Sequence, residues 1–135
     1  MLRNIRLATS AVAEHSDRGG ILLIYDADDD CAVSLGKSLR KEASRHTSLP
    51  CEAVLAVREY EAWLLAGQCI DWRDDPERPR DAKSKLSASL GVYRETVDQP
   101  KLTAALNIAS ASEGSRSFRQ LLTALDRLDP AASQH

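Results

Sequence analysis

The sequence predicts an α/β fold: a small parallel sheet flanked by helices, followed by a helical C-terminal part. Two short apolar runs, Ile21-Leu22-Leu23-Ile24-Tyr25 and residues 51–57, have the length and residue content of strands. Between them, Leu35, Leu39 and Ala43 recur at i, i+4 within residues 32–45, which is helical spacing. Strand, helix, strand in that order is a βαβ unit with a right-handed crossover.

Taken in order, residues 2–14 read as a helix with Leu2, Ile5, Ala8, Val12 and Ala13 near one face. Gly19-Gly20 releases the chain into the first strand. That strand shows no polar alternation, which predicts burial on both faces. It stops at Asp26, Asp28, Asp29 and Asp30. Pro50 blocks continuation of the second helix, and the second strand follows. From Arg58 the chain leaves that strand directly for a helix, with Tyr60, Trp63 and Leu64 on one face and Gly67 at its end. Residues 71–80, polar and carrying Pro76 and Pro79, predict a loop suited to a mobile flap. Residues 81–90 predict a helix closed by Gly91, and Pro100 suits the first turn of another that runs to residue 109. Residues 113–115 predict a loop, and Ser117-x-x-Gln120 a capping box for a last helix faced by Phe118, Leu121, Leu122, Leu125 and Leu128. The tail 130–135 is expected to be disordered, leaving residues 1–129 as one domain. Two strands are few for a parallel sheet, so a neighbouring chain or a further segment is expected to complete it.

The totals narrow the classes. A chain of 135 residues, 43% apolar and 28% charged, fits one soluble domain. Net charge −2 gives no global pull toward nucleic acid or a membrane, so such binding needs a local patch. No apolar run approaches the roughly 20 residues of a bilayer span. The first six residues lack the uninterrupted apolar centre of a secretory signal, so the expectation is a cytoplasmic protein without membrane contact. Cys31, Cys51 and Cys69 form no zinc or CxxC spacing and read as buried or partly buried reduced thiols. His15, His46 and His135 form no cluster.

The acids carry the chemistry. Carboxylates just past the carboxyl end of a parallel strand stand where open α/β sheets bind ligands. Their mutual repulsion needs an offsetting partner, and hard oxygen donors suit Mg²⁺ or Mn²⁺. Asp26-x-Asp28-x-Asp30 is not an EF-hand loop, because Cys31 and Lys37 stand where Gly and Glu are required. A haloacid-dehalogenase-type phosphatase also has Asp-x-Asp after a strand, but Asp30 occupies the place of its Thr or Val. The third explanation is a divalent-cation site using Asp26 and Asp28. Against it stands an acidic turn in which Asp29 or Asp30 merely caps the following helix. Glu59 and Glu61 follow the second strand; adjacent strands lie about 4.8 Å apart, so these carboxylates are within reach of the aspartates. Extended backbone would turn both glutamates to one side, whereas in a helix they diverge. As acids in a first helical turn they also suit the helix dipole. Arg78, Arg80, Lys83 and Lys85 form the one local basic run, read either as phosphate-binding or as a solvated face. Ser115-Arg116-Ser117 has the makings of an anion seat at a helix start, or simply of a cap.

Several stretches together resemble an uncharacterised bacterial family grouped with Toprim-like domains. They are Tyr25-Asp-Ala-Asp-Asp-Asp-Cys31, Val57-Arg-Glu-Tyr-Glu-Ala-Trp-Leu-Leu-Ala66, Asp81-Ala-Lys83, Tyr93 through Asp98-Gln-Pro100, and Ser115-Arg-Ser-Phe118. The resemblance runs from about residue 20 to 122, toward the nuclease half of OLD-type (overcoming lysogenization defect) proteins. It implies a small Toprim-like, Rossmann-like sheet and Mg²⁺-dependent phosphodiester chemistry on DNA or RNA, in phage defence and beside a partner ATPase. Asp26 and Asp28 match the Toprim Asp-x-Asp, with Asp30 beside them as a further metal ligand. Glu59 and Glu61 match a later Glu-x-Glu-like element, and Lys83 a lysine near the scissile phosphate. The family's first strand and its glutamate have no counterpart here. The resemblance therefore also implies an N-terminally truncated relative: a catalytically degenerate module that binds an ATPase or itself, including as a homodimer.

Overall fold

The computed structural model describes residues 2–15, 19–28, 30–68, 76–77 and 81–129. Among these, the order is α1 (Leu2–His15), β1 (Ile21–Asp26), α2 (Ala32–Ala43), β2 (Cys51–Ala56), α3 (Glu61–Gly67), α4 (Ala82–Leu90), α5 (Glu95–Ala104), α6 (Ile108–Gly114) and α7 (Arg116–Leu128). The fold is α/β, with a two-stranded sheet and helices around it. Ile21 N donates to Pro50 O (2.8 Å) and Ala27 N to Ala56 O (2.9 Å), and the same sequence offset at both ends marks the ladder as parallel. No described helix is long and apolar enough to cross a membrane.

The chain divides into two compact units. One comprises Met1–Tyr25, Asp30–Leu55 and Gln120–His135; the other Asp26–Asp29 and Ala56–Arg119. In the first, Ile5 of α1, Ile21 of β1, Ala43 of α2 and Cys51 of β2 form the buried core, with Ala8, Leu23 and Leu49 packed on it. α2 comes close to the sheet at Gly36, where an added Cβ would lie 3.1 Å from Leu55 Cδ1. In the second unit α3 is buried nearly all round: Glu61, Ala62, Trp63, Leu64, Leu65 and Gly67 are inaccessible. A helix apolar on every side needs cover on every side, and α4, α5 and α6 pack against it. Ala62, Leu64, Leu65, Ala82 and Leu86 are its core, with Tyr60, Tyr93, Leu102 and Leu106 beside them.

Several sequence expectations need correction. β1 is not buried on both faces: Ile24 is 41% and Tyr25 38% exposed. Among the described residues the sheet has two strands, so β1 is an edge without the cover of a larger parallel sheet. The helix expected over 100–109 is really two. α5 already starts at Glu95 and carries Pro100 inside it, and Asn107 caps α6 by accepting from Ser110 N (2.9 Å). Residues 113–114 close α6 and are not a loop. On α7 the cap is Ser115, whose Oγ accepts from Phe118 N (3.0 Å), rather than Ser117. Phe118 is buried and Leu121, Leu122 and Leu128 are half-buried, as the leucine pattern suggests, but Leu125 is 45% exposed and Ala124 is buried instead. The expected flap falls largely outside the described residues, as do Cys69 and the tail.

The cysteines differ from each other. Cys31 is exposed, against expectation, and hydrogen bonding with Ser34 holds its thiol below the usual range. Cys51 is buried, and burial pushes its thiol up. The thiolate is the reactive form. Iodoacetamide should therefore alkylate Cys31 about tenfold or more faster than Cys51. Peptide mapping over time checks this, and equal rates would contradict the placement of both side chains.

Candidate functional site: an acidic strand edge

β1 ends on Asp26, and the ladder continues one residue further through Ala27. The next residue, Asp28, turns into the left-handed region (φ 47°), and its N–H donates to Arg58 O (3.2 Å). Arg58 lies just past β2 and is left-handed as well (φ 68°). These are the two non-glycine residues of positive φ among those described, so both strands end in the same uncommon conformation, bonded to each other. For Asp the cost is small; for Arg it is larger.

Asp26 Oδ1 accepts from Tyr60 N (2.8 Å) at the start of α3. Although the residue is exposed as a whole, its carboxyl is partly desolvated, and this raises its proton affinity above the usual aspartate value. The Tyr60 hydrogen bond opposes that rise, the negative charges of Glu61 and Asp28 add to it, and the Lys83 ammonium counters them. Among the described residues neither Asp26 nor Asp28 has an ion-pair partner.

The two glutamates diverge, though not as an extended strand or a single helix would place them. Glu59 sits in the turn before α3, and its Oε2 accepts from Lys83 N (3.3 Å) at the start of α4. Glu61, in the first turn of α3, is 1% exposed. Its Oε1 accepts from Tyr93 Oη (2.7 Å) and Gln99 Nε2 (3.2 Å). Burial and then the Glu61 carboxylate push the Tyr93 phenol well above its ordinary range. Lys83 Nζ pairs with Glu95 Oε2 (2.9 Å); that contact first, then the charges of Glu61 and Glu59, keeps it protonated.

Of the residues marked out by sequence, Asp26, Asp28, Glu59, Glu61 and Lys83 thus fall in one unit, and Asp26 feels the charges of Glu61, Asp28 and Lys83. Asp30 belongs to the other unit, while Asp29, Arg78 and Arg80 lie outside the described residues. The N-cap of α2 is Cys31, with no side-chain cap, so Asp30 does not cap that helix. Sequence reasoning gave no site role to Tyr93, Gln99 and Glu95, which hold Glu61 and Lys83. The anion seat at Ser115-Arg116-Ser117 is filled by the chain itself: Glu77 Oε1 accepts from Ser115 Oγ (2.6 Å), Ser117 N (2.7 Å) and Ser117 Oγ.

Among the described residues no three His, Cys, Asp or Glu side chains are grouped closely enough to cage an ion. Magnesium does not require a cage. It keeps several waters and takes one or two carboxylates, with substrate phosphates completing the shell. Asp26 and Asp28 match that modest demand in donor type and in number. Comparison with protein-family models, with curated proteins and with solved structures returned no match.

Proposed function

We propose that the acidic edge binds Mg²⁺ or Mn²⁺ through Asp26 and Asp28 and serves phosphodiester chemistry on DNA or RNA. This is the activity implied by the resemblance to Toprim-like nucleases of the OLD group, with a cytoplasmic role in phage defence. One observation carries the reading. Among the described residues no cationic side chain is bonded to Asp26, yet it is partly desolvated and feels the like charges of Glu61 and Asp28. A divalent ion would relieve that repulsion and, when bound, would polarise a phosphoryl oxygen. Glu61, fixed by Tyr93 and Gln99, keeps the negative potential in place. Lys83 is the group nearest in kind to a phosphate contact, and a phosphate would compete with Glu95 for it.

A second reading is favoured by those same commitments. Glu59 is spent on the start of α4, Glu61 on Tyr93 and Gln99, and Lys83 on Glu95. A site whose supporting groups are occupied suits a degenerate module that binds a partner ATPase.

Calorimetric titration with Mn²⁺ and Mg²⁺, on wild type and Asp26→Asn, tests both readings. Wild type should bind one ion, and Asp26→Asn should weaken it by at least about tenfold. The asparagine keeps an oxygen for Tyr60 N, so the variant should fold. Its stability should rise. A carboxyl whose folded proton affinity is raised contributes most when protonated, below the unfolded value of 3.8, and loses that contribution as pH climbs through the folded value. At pH 7 the amide is therefore expected to melt above wild type, and near pH 3 with it. No ion binding by wild type removes the cation reading; binding without cleavage of single- or double-stranded DNA or RNA favours the degenerate module.

A further inference from the structure

The register of the sheet says which backbone groups of β1 are used. Ile21 N and Ala27 N both donate to β2, and backbone groups alternate sides along a strand. The odd-numbered residues of β1 therefore face β2, and the N–H and C=O of Leu22, Ile24 and Asp26 face the opposite edge. Among the described residues no strand pairs there, because the sheet ends at β1. β2 differs: Cys51, Val54, Leu55 and Ala56 are buried, and beyond its end Val57 N donates to Ser117 Oγ (3.3 Å). On β1, Leu22 and Leu23 are half-buried, and Ile24 and Tyr25 are exposed. Proteins blunt such an edge with lysine, proline or a bulge. Ile-Leu-Leu-Ile-Tyr has no charged residue or proline.

We propose that the open edge of β1 pairs antiparallel with β1 of a second copy, joining two sheets into one of four strands. Charge sets the direction of pairing, and self-complementarity about Ile24 points to a second copy as the occupant. β1 runs into Asp26 and Asp28, so a parallel copy would stack like charges along one edge. Antiparallel pairing about Ile24 sets Asp26 of each copy against Leu22 of the other and sends the acidic ends to opposite poles. Ile24 then faces Ile24, and Leu23 faces Tyr25, as apolar cross-strand pairs. The contact is self-complementary and closes as a two-fold dimer. Six residues a side make a small interface, so association is concentration-dependent. The proposal is independent of any bound cation.

Sedimentation velocity tests it from about 1 μM to a few hundred μM, which spans weak association. Wild type should shift toward twice the monomer mass as concentration rises. Ile24→Pro deletes only an outward-facing N–H and leaves the ladder to β2 intact, as edge strands permit. Ile24→Lys keeps that N–H and sets two ammonium groups across the two-fold axis. Both should retain the wild-type far-UV circular dichroism and need at least about tenfold higher concentration to dimerise. The lysine variant decides the matter should the proline variant not fold. A wild type that stays monomeric throughout overturns the proposal and leaves the edge to another protein's strand. A dimer equally strong in a folded variant overturns it too.

Discussion

Trp63→Ala should lower the unfolding free energy by about 3–5 kcal/mol, the range for truncating a buried aromatic side chain. Trp63 is 1% exposed at the centre of α3. Its ring meets Phe118 edge-on (5.7 Å, 76°) and Tyr60 at a tilt (5.3 Å, 58°), geometries that add to simple area burial. Its Nε1 donates to Ser117 Oγ (2.7 Å), which satisfies the one polar atom the indole brings inside. Domains of this kind are stable by only about 5–15 kcal/mol, so the loss is a large fraction of the whole. Urea unfolding followed by circular dichroism measures it. Trp63→Phe should cost less, about 1–3 kcal/mol, because it keeps a ring in place and forfeits the hydrogen bond. Equal costs for the two would mean that the hydrogen bond, rather than the buried ring, holds α3.

Glu61→Ala should be nearly as damaging, and Glu61→Gln much milder. The alanine strips the acceptor from Tyr93 Oη and Gln99 Nε2. Each orphaned, part-buried donor costs about 1–3 kcal/mol. Glutamine retains an oxygen for Tyr93 and removes the charge. Three neighbouring groups report that loss, since Glu61 raises the proton affinity of Asp26, Lys83 and Tyr93. In Glu61→Gln the Tyr93 phenol should therefore ionise at lower pH than in wild type, read by ultraviolet absorbance against a Tyr93→Phe blank. An unchanged Tyr93 titration would show that burial alone, the larger cause, sets its behaviour.

Elements written in local periodicity were legible from sequence: both strands, α1, α2 and α4 stand within a residue or two of expectation. Failures occurred where tertiary context decides. α5 buries none of its residues, so it carries no apolar stripe to read, and Pro100 invited a start five positions late. Ser117 has the look of a cap, but its hydroxyl is needed by Trp63 and Val57, and the capping falls to Ser115. Gly67 does end α3, for a reason other than a left-handed turn. A Cβ there would lie 2.5 Å from Leu106 Cγ, so the glycine permits close packing. Asp26, Asp28, Glu59, Glu61 and Lys83 stood out because charge density beside a strand is a local signal. Tyr93 and Gln99 lie more than 30 positions from Glu61, and no spacing rule connects them.

The left-handed pair Asp28 and Arg58 bears on how this protein would respond to laboratory evolution. A residue in that region without glycine's freedom holds back about 1–3 kcal/mol. Heat selection on a random library would be drawn to Arg58→Gly, where the relief is greater than at aspartate. Survivors would gain thermal tolerance while loosening the turn in which Arg58 O accepts from Asp28 N. Enrichment at that codon, with and without a counter-selection for divalent-ion binding, would separate what the chain keeps for endurance from what it keeps for work.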